Sequence, residues 1–218
     1  MDRLTPLQKL VTSPAALKLS FRLSEGLNRL TRCATARRRE QNRAAVAAYT
    51  GREPINGQRR PPVAALPYGR CTMDYNGCEV LAAYNALLTL GEAMPLSEVS
   101  AWFERRGLFL GGLWGTHVLA IPEFFEARGF SVEVLYKDFD EAFSAVPAAV
   151  FAFWNDARRL RRGLHTVALA HAGDGGLAVY NLRGADKDAN REHRSIAEFY
   201  GRTGALPVLL VAIKAKGS

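Results

Sequence analysis

Cysteine is scarce in this 218-residue chain: three residues, Cys33, Cys71 and Cys78. An odd, small number builds no disulfide framework and fits a reducing compartment. The spacing of Cys71 and Cys78 is too wide for a zinc knuckle, so no metal site is expected. Long apolar runs are missing as well. No stretch approaches the roughly 20 apolar residues that a membrane span needs. The N-terminus lacks the continuous apolar core of a signal peptide. These absences lead us to expect a cytoplasmic protein. Internal repeats are absent too, which excludes a solenoid. A phosphate-binding loop is excluded because no Lys-Ser/Thr pair follows the Gly111, Gly112 and Gly115 cluster.

Hydrophobic residues make up 48% of the chain, enough for a sizeable core. The formal net charge of +8 is unevenly spread. Residues 1–60 hold 13 Lys and Arg against 4 Asp and Glu; the rest hold 16 against 17. The basic character therefore belongs to an appendage on a near-neutral body. Such an appendage suits an acidic partner, an anionic membrane or RNA. Aromatic residues do not interleave with its Arg37–Arg38–Arg39 run, so specific nucleic-acid recognition is not expected.

The organisation follows from periodicity and punctuation. Residues 1–50 form a basic helical extension, with Leu17, Leu19, Leu23, Leu27 and Leu30 at helical spacing and a break near Pro14. Residues 51–70 are dense in Gly, Pro and Arg and predict a linker or extended strap. Residues 71–218 form the body. Its helices come first: GCEVLAAYNALLTLG, PLSEVSAWFERRG and HVLAIPEFFEARG. Then come the strand FSVEVLY, the short helix FDEAFSAV, and the strands PAAVFAFWN, LHTVALAHA, GLAVYNLRG and LPVLLVAIK. Helices followed by a mostly antiparallel sheet predict an α+β fold.

Cys78 stands where a helix begins, after the turn-like Asn76–Gly77. The N-terminal end of a helix favours a thiolate and offers free N–H groups to an oxyanion. His165 opens one strand of a hairpin and Asn181 ends the other. With the turn centred on Gly173, the two become neighbours, and the Asn side chain can orient the imidazole. His117 is the alternative base, but it has no strand partner. His171 lies at the turn end of the hairpin, and His193 in a charged, solvated loop. Trp154 and Trp114 are candidates to line a substrate groove. Asn85 is expected to make a structural hydrogen bond.

Residues 71–185 resemble the papain-like clan of bacterial cysteine peptidases, in particular the bacteriocin-processing, double-glycine-leader type. The resemblance rests on DYNGCEVLAAYNALLTLG, AIPEFFEARGFSVEVLY, PAAVFAFWN and LHTVALAHAGDGGLAVYNLRG, in that order. It implies a papain-like fold, Cys78 as nucleophile, His165 as base and Asn181 as the third residue. In this family Asp is usual at that third position, whereas papain itself uses Asn. It implies no cofactor and a peptide or protein substrate. One departure concerns the oxyanion hole. The family places a Gln six residues before the nucleophile, and Thr72 stands there. Asn76 then serves either as the replacement donor or as a turn residue. The function expected is a cysteine-dependent peptidase or amidase. The alternative is a weak or inactive papain-like interaction module docked by its basic helix. Residues 1–60 are open to three roles: prosegment, anchor or docking helix.

Overall fold

A computed structural model describes residues 4–216 apart from 31, 114, 161–162, 174 and 183–192; the side chains of 29–35 and Leu110 are also left aside. The fold is mixed α+β. In chain order the helices and strands are α1 (Pro6–Val11), α2 (Pro14–Leu30), α3 (Arg32–Val46), β1 (Pro67–Tyr68), β2 (Cys71–Thr72), α4 (Met73–Asn76), α5 (Cys78–Thr89), α6 (Leu96–Arg105), α7 (Ala120–Glu126), β3 (Val132–Leu135), α8 (Phe139–Ser144), β4 (Ala148–Trp154), β5 (Leu164–His171), β6 (Leu177–Tyr180), α9 (Ile196–Thr203) and β7 (Leu206–Ile213).

Five strands form one antiparallel sheet in the order β3-β7-β4-β5-β6. Its central strands β4 and β7 are buried almost throughout, as continuous apolar runs such as AAVFAFW and LPVLLVAI require. Side chains alternate between two cores. Val150, Ala152, Ala168, Leu209 and Val211 meet α5, α6 and α7 in one core. Phe151, Phe153, Val167, Leu169 and Leu210 meet Phe139 of α8 and Phe199 of α9 in the other.

The N-terminal helices pack on the body. Asn42 of α3 donates to Glu104 of α6 and to the Gly69 carbonyl, and Arg43 pairs with Glu98 at 2.5 Å. Val46 is fully buried in the first core.

Several expectations need correction. Residues 51–70 are not a free linker between domains. Ile55, Gln58, Val63 and Tyr68 are buried, and Ile55 exchanges hydrogen bonds with the Asn85 amide, which makes the structural contact expected of it. The segment is a strap built into the body. The β5–β6 hairpin pairs Ala168 with Tyr180 and His171 with Leu177, so its turn is centred one residue beyond Gly173. His193 is not solvated but buried, with its ring edge-on to Phe199. Helix α9 was not anticipated.

Candidate active site around Cys78

Cys78 is the first residue of α5, as its sequence context predicts. Gly77 makes that possible, because a side chain there would collide with the preceding turn. A Cβ would lie 2.6 Å from the Met73 carbonyl oxygen and 2.7 Å from its sulfur. The close approach of α4 sets the start of α5, and with it the sulfur.

Cys78 is only 8% exposed, whereas an activated nucleophile is expected to be partly exposed. It donates to the Glu79 carboxylate, with Sγ 3.1 Å from Oε2, and accepts from the Thr166 N–H. The other Glu79 oxygen, Oε1, accepts from the Thr166 hydroxyl at 3.2 Å. Burial pushes the Cys78 thiol well above its usual range, and the neighbouring Glu79 charge pushes it further. Burial likewise raises the Glu79 carboxyl to about 7. The expected thiolate is therefore replaced in this conformation by a neutral thiol held on a carboxylate. The helix N-terminus favours charge on sulfur by about 1 kcal/mol at most settings, too little to offset full desolvation.

His165 is the second residue of β5, immediately before Thr166, so the sulfur lies against the backbone of the next residue along the strand. The imidazole packs edge-on against Phe153, with centroids 5.8 Å apart. Its Nε2 donates to the Asn181 main-chain carbonyl at 2.6 Å. A carbonyl only accepts, so this contact places the proton on Nε2, and the neutral ring carries its lone pair on Nδ1.

Asn181 therefore holds the imidazole through its backbone, not through its side chain as expected. The register explains the difference: Asn181 lies just past the last paired residue, Tyr180, with φ 72, a left-handed conformation that Asn tolerates. The strap fixes that conformation. Asn181 Oδ1 accepts from the Gln58 N–H at 3.0 Å, its Nδ2 lies 3.3 Å from the Thr166 carbonyl, and its own N–H reaches Asn56 Oδ1 at 3.2 Å. Gln58 Nε2 extends the brace to the Asp74 carbonyl of α4.

No protein-family model and no curated protein matches this sequence at a significant level. The site must be read from its own residues.

Asn76 is buried and its Nδ2 donates to the Gly112 carbonyl. One of its two amide N–H groups thus serves the glycine loop, beside the turn role expected of Asn76. The Thr72 hydroxyl bonds the Asp74 carboxylate. The loop itself needs its glycines: Gly107, Gly111, Gly112 and Gly115 all have positive φ. Tyr68, fully buried, feels both Cys78 and Glu79 and shares a 2.6 Å hydrogen bond with Thr116 at the end of that loop.

Trp154 ends β4 and packs on the first core, with its Nε1 buried and without a hydrogen-bond partner. The indole is partly buried there. Trp114 lies outside the described residues. His117, the alternative base, bonds Ser20 of α2 at 2.8 Å, and burial lowers its pKa to about 4. His171, exposed at the far end of β5, stacks on Phe143 of the second core. Among the described residues no group of His, Cys, Asp and Glu could hold a metal ion.

The residues that sequence reasoning missed are Glu79, Thr166, Gln58 and Tyr68. Glu79 and Thr166 each adjoin a residue that was singled out, and a buried acid on a helix that is otherwise almost wholly apolar was the available signal.

Proposed function

We propose that the chain is a papain-like cysteine hydrolase, acting on a peptide or amide bond, whose resting form keeps its nucleophile covered. The observation that carries this reading is the 2.6 Å contact between His165 Nε2 and the Asn181 carbonyl. The Nε2–H is anchored on Asn181, which leaves the basic nitrogen as Nδ1 on the strand against which the Cys78 sulfur packs. Nucleophile, base and orienting group then stand in the roles of a Cys-His-Asn triad.

The chemistry balances as follows. The thiol proton passes to His165 Nδ1 as sulfur attacks the substrate carbonyl carbon. A C–S bond forms, the C–N bond breaks, and the imidazolium proton leaves with the amine. Water, deprotonated by the same nitrogen, then releases the acid and restores the thiol. The Cys78 N–H at the start of α5 serves as an oxyanion donor. Glu79 holds the thiol proton at rest, so turnover requires the thiol to move from the carboxylate to the imidazole.

A second reading is favoured by one observation, the burial of the thiol against Glu79. In that reading the fold is a non-catalytic interaction module. Two measurements separate the readings: hydrolysis of a fluorogenic peptide pool and labelling by a thiol-directed peptidyl probe. The enzyme loses both with Cys78→Ala and loses about 100-fold or more with His165→Ala. If wild type turns over nothing and its alkylation follows the pH profile of a free cysteine, the hydrolase reading is wrong.

A further inference from the structure

Helix α2 has two apolar sides. Leu17 and Phe21 pack on the first core beside four polar side chains that bond the body. Ser20 bonds His117 at 2.8 Å, Ser24 and Asn28 both donate to the Leu108 carbonyl, and Glu25 accepts from the Gly107 N–H at 2.9 Å. Phe21 packs against the His117 ring. The face turned to solvent carries Leu19, Leu23 and Leu27, which are 61%, 59% and 42% exposed. Residues four apart advance about 40° around a helix, so these three stay within an arc of about 80°. Leu7 and Leu10 of the adjoining α1 are exposed to a similar degree. Five exposed leucines on two consecutive helices, all within the first 27 residues, are not the scatter of single apolar residues that any surface shows.

The charge around these leucines selects their partner. Lys18 and Arg22, four residues apart, line one edge of the α2 stripe, and Lys9 is exposed on α1. Glu25, the one acid among the described residues of the two helices, is turned to the body. The surface is thus leucine with cations whose stems can reach past it. A second copy of the chain would bring cationic segment onto cationic segment. RNA would find no exposed aromatic side chain here to stack on.

The geometry points to an anionic lipid surface as the partner of this face, with α2 lying in the interfacial plane, its leucines among the acyl chains and Lys18 and Arg22 at the headgroups. The docking is independent of the thiol chemistry. It also places the membrane on the side of α2 opposite the glycine loop, so the loop that α2 braces faces away from the lipid.

The test is co-sedimentation of the full-length protein with vesicles of phosphatidylcholine alone, or mixed equally with phosphatidylglycerol, at low and high salt. Binding is expected to the anionic vesicles and to fall with salt. The combined change Leu19→Ser, Leu23→Ser and Leu27→Ser should lower the partition coefficient about tenfold or more, with an unchanged melting curve because the body-facing residues are retained. Lys18→Gln with Arg22→Gln should weaken binding at low salt and flatten its salt dependence. Leu23→Ser alone, a smaller lesion, should weaken binding in the same direction. Failure of the wild type to sediment with anionic vesicles overturns the proposal. So does a triple variant that binds as tightly as wild type, or a soluble dimer that the triple variant dissolves while no lipid is bound.

Discussion

At the scale of single residues, the pair Cys78 and Glu79 decides what the site is at rest. A carboxyl raised by burial keeps its proton to higher pH in the folded chain than in the unfolded one. Its contribution to stability is therefore complete below about 4.5 and is lost as pH rises through about 7. The difference between those values corresponds to on the order of 3 kcal/mol. Glu79→Gln removes this titration. Denaturant midpoints measured from pH 4 to 8 should fall with pH more steeply in wild type than in the variant; parallel curves would mean the carboxyl is not held as described. The same substitution takes away the charge that disfavours the thiolate. Alkylation of Cys78 by iodoacetamide at pH 8 should then be severalfold faster in Glu79→Gln than in wild type. The sequence leads us to expect a Cys78 activated at a helix start, as a thiolate or as a thiol deprotonated by His165; the structure buries it as a thiol on Glu79. A helix start signals its favourable dipole in sequence; the depth at which it is buried depends on distant chain, here the strap and the glycine loop.

At the scale of elements, the strongly patterned pieces were legible. The apolar runs of β4, β5 and β7 and the helix after Cys78 stand where their patterns place them. What escaped was punctuation. Ser195 and Glu198 carry the S-x-x-E spacing that announces a helix start, and Ser195 caps α9 by accepting from the Glu198 N–H. Asp140 of α8 supports the same end, accepting from the N–H groups of Ile196 and Ala197 at 2.6 and 3.1 Å. Asp140→Ala should cost about 1–2 kcal/mol, read as a lowered melting temperature. The hairpin turn is centred one residue beyond the expected place, enough to move Asn181 from beside His165 to a position from which its carbonyl meets the ring. Tight packing makes the junction of α4 and α5 equally sensitive. Gly77→Ala forces Met73 away and should destabilise by about 1–3 kcal/mol, with loss of any Cys78-dependent activity as the sulfur moves with its helix. A variant with wild-type stability would contradict the contact distances at Gly77.

At the scale of the whole molecule, charge suggests one boundary and packing draws another. The basic quarter of the sequence ends near residue 60, yet the strap that contains this point is part of the body. Ile55 lies in the first core, and Gln58 ties the carbonyl-presenting turn at Asn181 to α4. A Pro-, Gly- and Arg-rich composition describes a segment without regular structure; it says nothing of whether its few apolar and amide side chains are buried. The two boundaries predict different outcomes on truncation. Removal of residues 1–30 takes away helices that hydrogen-bond the Leu108 carbonyl, the Gly107 N–H, His117 and the Ala157 carbonyl, and that rest Leu17 and Phe21 on the first core as partly buried residues. The shortened protein should still unfold cooperatively, with faster amide hydrogen exchange concentrated at residues 107–117 and around Ala157. Removal of residues 1–60 also takes Val46, Ile55 and Gln58 out of buried positions. It leaves cavities in the first core and unpaired amide groups at Asn85 and Asn181, each lesion costing about 1–5 kcal/mol. Against a total stability of about 5–15 kcal/mol for a domain, that truncation should abolish cooperative unfolding. Native-like melting of the chain that begins at residue 61 would place the boundary where the charge does, and would show the strap to be dispensable.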